Sequence, residues 1–429
     1  MNQDRMSRDR TAAQLDAMSE PERRELYERA RALGADTTQL QAASTEDLRA
    51  AAEREGIALP PLCDPERLRA TLLFARSRKL GIGMCRGVLE VSPDGYGFLR
   101  SFATSFAACA DDVYVSGGQL SHLGLRNGSL IEGPLRPPRA TEQFAALVRV
   151  ESVNGRSQDE RRELVPFESQ APVLPTQILR LQPDADDLVL RAIARLAPVA
   201  YGHRVLLSAH EGNARSSLLA RIAAAVRRAD ERTDVTLCLL DAEPSTVHEL
   251  RAVADGCNVV AATFDEPPAR LIQVAELAIA AAERQAEAGM RCVVVLDSLT
   301  ALARAGQRER PRPGKLGPAD VATHALIRCK RVFAAARQLD GGGSLTLVAA
   351  MNPDSEFPIE REAAATFANK GNAMVGFDSL DEGSLPCPAR TATRSADLPL
   401  DRAGRERLAE FRAQFQAASH QQRVAMLRS

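Results

Sequence analysis

Residues 206–217 read LLSAHEGNARSS, an apolar strand end that runs into a helix start across a short polar loop. A strand–loop–helix step of this kind is where a phosphate-binding loop sits, with backbone amides and a helix N-terminus turned toward an anion. Ala209–Ser216, AHEGNARS, has the length of the pattern G-x-x-x-x-G-K-[ST] but matches it only at the final hydroxyl, Ser216. Around it, strand-like runs at Val205–Ser208, Val235–Asp241, Val259–Phe264, Cys292–Asp297 and Ser344–Ala350 alternate with helical stretches at Ser217–Arg228, Pro268–Ala288 and Val321–Arg337. That alternation predicts a parallel, mostly buried sheet flanked by helices. Gln307–Asp320, QRERPRPGKLGPAD, is too rich in Pro and Gly for a regular element and is expected to be a loop.

The chain has 429 residues, enough for two or three domains with their own cores. At 45% hydrophobic, 26% charged and net charge −1, it falls outside the disordered and membrane-embedded classes. Nucleic-acid binding would therefore rest on a local patch rather than on overall charge. The start, MNQDRMSRDR, has no apolar core, so no signal peptide is expected, and runs such as Cys292–Leu296 are too short to cross a bilayer. Eight scattered cysteines without a C-x-x-C pair make disulfides and zinc sites unexpected and point to a reducing, cytoplasmic setting. Residues 1–43 are expected to form a helical N-terminal extension and 44–84 a helical subdomain. Within the latter, STEDLRAAAEREGI carries a capping box, Ser44 with Asp47 in place of the usual Glu, and a terminal Gly. Residues 85–155 hold short β runs (GVLEV, GYGFLRS, DDVYVS, ALVRVESV) that predict a small barrel or sandwich. Residues 156–182 are expected to be a linker, and 183–429 the parallel-sheet domain.

The densest signal in the β region is DGYGFLRS, Asp94–Ser101. Tyr96 and Phe98 stand two residues apart and so share one face of a strand. The glycine before each is expected to leave the ring faces uncovered. Paired rings of this kind form a platform on which bases stack, worth about 1–3 kcal/mol per base. On spacing alone, two core residues of a small barrel fit equally well. Arg100 continues the face as a phosphate partner or stacking plane, and Asp112, Tyr114 and Glu142 offer hydrogen bonds to base edges.

GVLEVSPDGYGFLRS, DDVYVS, LRNG, LRPPR and ALVRV together resemble the cold-shock-like RNA-binding domain of bacterial transcription termination factor Rho. AATFDEPPARLIQVAELAI, VVVLDSLTALARA, RVFAAAR and GGGSLTLVAA resemble Rho's ATPase core, in the same order, from about Thr45 to Ser395. The resemblance implies a multi-domain α/β chain: a helical N-terminal segment, an OB/cold-shock-like barrel, and a RecA-like parallel-sheet P-loop domain. It further implies that Tyr96, Phe98, Arg100, Asp112, Tyr114 and Glu142 meet single-stranded, cytosine-rich RNA, and that Lys315 sits in a central RNA-pulling loop. The implied cofactors are ATP and Mg, at Gly212, Arg215, Ser216 and Asp297, with Ser216 and Asp297 on the metal. The implied partners are RNA, copies of the chain or a Rho-type protein in a ring, and RNA polymerase.

Against that template the catalytic parts are altered. Ala214 stands where a glycine is expected, and a Cβ in left-handed backbone costs about 1–2 kcal/mol. Arg215 replaces a lysine with a wider planar fork, and Glu211 adds an acid to the loop. Ala242 stands where a water-orienting Glu belongs, with Glu243 displaced by one residue. Leu398 stands at the arginine-finger position although Arg394 is kept, and Cys387 stands where an aromatic would stack on adenine. GKLGPADV keeps Gly314 and Lys315 but not the paired glycines, and Pro358 follows Phe357 where a lysine is expected. The sequence thus predicts RNA binding with ATP turnover lost. The alternatives are an active RNA-dependent ATPase and helicase, and a regulatory module that binds protein alone.

Overall fold

The computed structural model describes residues 10–59, 63–162, 164–210, 212–309, 318–381 and 383–428. The chain divides into two units, Met1–Leu164 and Val165–Ser429.

The first unit begins with helices Ala12–Asp16, Glu20–Ala32, Thr37–Ala42, Thr45–Arg54 and Pro65–Leu80. Thr45–Arg54 starts where Ser44 Oγ accepts from the Asp47 amide at 3.1 Å. Asp47 is one methylene shorter than Glu, and its carboxylate accepts from the Ser44 hydroxyl at 2.7 Å. Gly56, at φ +66°, ends that helix.

Six strands follow: β1 (Gly83–Val91), β2 (Gly97–Arg100), β3 (Val113–Val115), β4 (Leu130–Arg136), β5 (Ala145–Leu147) and β6 (Ser152–Val153). Their order is β1-β2-β3-β5-β4-β6, and β1 also pairs with β4, which closes an OB-like barrel. Closure leaves no free edge among the five barrel strands. Strand β4 was not among the expected β runs, because Gly133 and Pro134 interrupt it. The barrel requires that interruption: a Cβ on Gly133 would lie 2.1 Å from the Arg149 carbonyl oxygen. Pro134 sits opposite Met84 and accepts from the Val148 amide at 2.9 Å. ALVRVESV, expected as one run, is split between β5 and β6. Leu68, Leu72, Leu89, Leu99, Val113 and Leu135 pack the interior with helices on one side.

The second unit carries β7 (Pro172–Val173), β8 (Ile178–Leu179), β9 (Val199–Ala200), β10 (Arg204–Ser208), β11 (Asp234–Ala242), β12 (Asn258–Thr263), β13 (Arg291–Asp297), β14 (Arg337–Leu339), β15 (Ser344–Met351), β16 (Ala373–Gly376) and β17 (Ala392–Thr393). Its main sheet runs β12-β11-β13-β15-β10-β16-β17, with β14 on β15 and β7 on β14. The pairs from β12 through β16 are parallel. Every residue of β15 is buried, as expected of a strand covered by helices on both faces. Helices Asn213–Ala229, Pro244–Val253, Pro268–Glu287, Leu299–Arg308, Pro318–Ala334 and Pro358–Phe367 supply that cover. Within the segment read as a linker, β7 pairs with β14 and β8 with β9. The expected loop Gln307–Asp320 is shorter than read: Leu299–Arg308 and Pro318–Ala334 take its ends, Pro318 being tolerated at a helix start.

Among the described residues no helix is long and apolar enough to cross a membrane. None of their His, Cys, Asp and Glu side chains gather in a group of three or more that could hold a metal ion.

Candidate functional site

Strands β10 and β13 are parallel members of one sheet, so Ser208 and Asp297 end at the same edge. After Ser208 the chain passes Ala209 and His210 to Gly212, which lies at φ 144°, ψ 171°, a region essentially restricted to glycine. The helix begins directly afterwards, at Asn213. Ala214 is therefore in its first turn, with ordinary helical backbone, and the left-handed strain expected of it does not occur. Gly212 makes the turn instead. Glu211 lies outside the described residues, as do Gly314 and Lys315.

Arg215 does not point out of the loop. Its Nη2 lies 2.5 Å from Asp297 Oδ1, with the two side chains only 3% and 4% exposed. Ser216 Oγ donates to Asp297 Oδ2, also at 2.5 Å. Arginine, hydroxyl and carboxylate thus close on one another, while Arg215 Nε and Nη1 have no hydrogen-bond partner among the described residues. From the first turn of its helix, the fork reaches the end of β13, which is separated from β10 in the sheet by β15.

Of the other altered positions, Ala242 adjoins a second ion-pair network. At the end of β11 a register shift between Leu240 and Ala242 leaves Asp241 at φ +65°. Its carboxylate meets Arg304, which also pairs with Glu360 at 2.6 Å and lies over the Phe357 ring at 4.7 Å. Glu360 is 1% exposed and Arg304 9%, whereas Asp241 and Phe357 reach the surface. Nothing periodic in the sequence marked Arg304, although an arginine inside the apolar stretch LTALARA was the available signal. Ala242 ends its strand and Glu243, exposed, precedes the next helix. Leu398 is buried, whereas Arg394 is exposed and tied to Asp397 at 2.9 Å. Cys387 is half-buried, its amide bonded to the Gly376 carbonyl at 2.7 Å.

On the barrel, β2 alternates as its pattern demands: Gly97 and Leu99 face inward, while Phe98 and Arg100 face outward, half-buried. Tyr96, Phe98, Tyr114 and Phe144 form one aromatic cluster. Ring centroids lie 5.8 Å apart for Tyr96–Phe98, 5.7 Å for Tyr96–Tyr114 and 4.9 Å for Phe98–Phe144. Edge-on packing of this kind holds the rings rigid while part of each stays accessible. Phe144 was missed; it directly precedes β5 and stands two residues beyond Glu142. Gly97 is explained differently from the expectation: a Cβ there would lie 2.6 Å from Leu89 Cδ1 and 2.9 Å from the Glu90 carbonyl oxygen. It permits the close approach of β1 and does not bare the rings.

Arg100 is held on three sides. Its Nε pairs with Glu90 at 2.7 Å, Nη1 meets Asp112, and the guanidinium lies over the Phe98 ring at 5.2 Å. Asp112 is buried beneath it and also accepts from the Cys109 amide at 2.7 Å. Burial pushes the Asp112 carboxyl up to about 7, with Arg100 opposing. Asp112 is thus a support for Arg100, and a base edge has little access to it. Glu142 is different: Arg136 Nη2 donates to it at 2.8 Å, and the Arg139 amide at 3.0 Å. The Arg136 hydrogen bond brings its carboxyl down to about 2. A cleft of about 720 Å³ runs beside the rings, lined by Tyr114, Gln119, Arg136, Glu142 and Phe144. It combines ring faces, a fixed carboxylate and a guanidinium, the groups that recognise an unstacked base and its phosphate.

Comparison with known proteins agrees with both units. The RNA-binding domain of the Rho termination factor matches residues 85–159, and the nucleotide-binding domain of the ATP synthase alpha/beta family matches residues 189–356. Transcription termination factor Rho of Rhodopirellula baltica is 32% identical over 380 residues, covering 87% of this chain and 74% of its own. The Neisseria gonorrhoeae protein of that name is 38% identical over 314 residues (72% and 75%), and that of Aquifex aeolicus 34% over 343 (78% and 79%).

Proposed function

Because the chain belongs to the transcription termination factor Rho family, we propose that it binds single-stranded RNA on the aromatic face of its barrel without turning over ATP. It then modulates termination through RNA occupancy, or by assembling with its own copies or a Rho-type protein, and it does not run a motor. The observation that carries this reading is the closure of Arg215 and Ser216 on Asp297. A magnesium nucleotide needs a cation facing its terminal phosphates and a carboxylate and hydroxyl facing the metal. Here those groups neutralise one another, so the residues as arranged do not fit the cofactor, and no catalytic step is derived through it. Ala242, Leu398 and Cys387 add the absence of a water-orienting acid, a finger and an aromatic stack at the corresponding positions. An arginine finger alone contributes about 10³–10⁵ in rate.

An active RNA-dependent ATPase keeps two observations on its side, the glycine-only turn at Gly212 and the carboxylate of Asp297 at the strand end. RNA-stimulated phosphate release from purified protein separates the two readings. No release above background is expected. Release that disappears in Asp297→Ala would establish the motor and overturn the proposal.

A further inference from the structure

At the sheet edge opposite the loop, a cleft of about 410 Å³ opens between Pro172–Pro175, the turn at Gly202–Arg204, and the starts of β14 and β16. Arg204 opens β10 and Ser208 closes it, so this five-residue strand keeps the cleft about 13 Å or more from the loop. Two arginines line the cleft without a carboxylate of their own. Arg204 is half-buried, and among the described residues its side chain bonds only the side-chain oxygen of Asn372, through Nε at 3.4 Å. Arg337 lies over the Phe167 ring at 4.8 Å and donates one N–H to the Ala334 carbonyl at 3.2 Å.

The one carboxylate of the lining, Asp397, is already engaged, with Arg394 at 2.9 Å and the Asn372 amide at 2.9 Å. His203 is buried and fixed: its Nδ1 accepts from the Ala200 amide at 3.1 Å, and its Nε2 lies 3.1 Å from the Asp397 carbonyl oxygen. Burial lowers its pKa, so it forms a neutral wall. Burial, and after it the charge of Arg394, also lowers the pKa of Arg204, with Asp397 opposing and Arg337 adding to the effect. Positive charge therefore accumulates in a partly shielded cleft, and a bound anion would offset its cost.

Gln338 and Gly202 also line the cleft, and the rest of the lining is apolar. Pro172, Val173, Pro175, Ala334 and Ala336 form walls, and Leu174 stands at the rim, 76% exposed. Guanidinium forks match a phosphoryl group, and the volume and apolar walls match a small organic body better than a bare ion. We propose that this cleft binds a small phosphorylated metabolite, its phosphoryl group held by Arg204 and Arg337 and its organic body against Pro172–Pro175.

Calorimetric titration of the full chain with phenyl phosphate, inorganic phosphate and sulfate tests this. Phenyl phosphate should bind more tightly than either inorganic anion. Its affinity should fall about tenfold or more in Arg204→Gln and in Arg337→Gln. Arg215→Gln, in the loop, should leave it in place. Loss in Arg215→Gln with retention in the other two would put the ligand in the loop and overturn the proposal. Equal affinity for sulfate, or no binding at millimolar concentration, would overturn it as well. Thermal melts accompany each variant. Should Arg204→Gln fail to fold, Arg337→Gln decides.

Discussion

Asp297→Ala leaves Arg215 as a buried cation without its counter-charge. The two side chains are 3% and 4% exposed, and two further guanidinium nitrogens lack partners among the described residues. Water therefore cannot replace what the carboxylate supplied. Removing one member of such a pair costs about 3–5 kcal/mol. For a unit of this size that corresponds to a Tm lowered by about 6–20 °C. Arg215→Met with Asp297→Leu removes both charges and keeps apolar volume, so the double variant should be far less destabilised than the sum of the singles. Circular dichroism melts of wild type, singles and double measure this directly. The same melts with magnesium ATP should leave the wild-type Tm unmoved, whereas a ligand at a hundred times its Kd would add about 2.7 kcal/mol. An Asp297→Ala protein that melts with the wild type, or a wild type stabilised by several degrees with magnesium ATP, would refute the closed-site reasoning.

Alanine at Tyr96 and Phe98 together should weaken oligo-cytidine binding, read by fluorescence anisotropy, by about 1–3 kcal/mol per base that stacks there. Phe144→Ala should act in the same direction, and unchanged binding would remove this face from RNA recognition. Gly97→Ala should destabilise the first unit by about 1–3 kcal/mol in urea, because its Cβ meets Leu89 and the Glu90 carbonyl. A neutral outcome would show that β1 can shift. The Asp112 carboxyl sits at about 7 in the fold against an ordinary 3.8. Its contribution to stability is therefore fully present below about pH 4 and lost as pH rises through about 7. Asp112→Asn should flatten that part of the stability profile; an unaltered slope would mean that another group titrates there.

Much of the fold was legible because it is written in local periods. The runs ending at Ser208 and Asp297, and the capping pair Ser44–Asp47, need only neighbours a few residues away. Strand β4 was not legible, because Gly133 and Pro134 weaken a strand locally, and Gly133 is explained only by the close approach of the Arg149 carbonyl from the segment between β5 and β6. Gly97 was visible as a glycine, but its reason, Leu89 across the sheet, was not.

The site divides along the same line. Sequence by itself determined that a strand–loop–helix step stands before a strand ending in Asp297, with Ala214 and Arg215 where the pattern G-x-x-x-x-G-K-[ST] has glycine and lysine. Only the tertiary structure decided what the replacements do. Parallel pairing brings Ser216 and Asp297, 81 residues apart, to a 2.5 Å hydrogen bond, and burial there favours an arginine that meets the carboxylate over one facing solvent. Chain order fixes which residues are present at a sheet edge, whereas the low dielectric of the packed interior decides which of their charges must find each other.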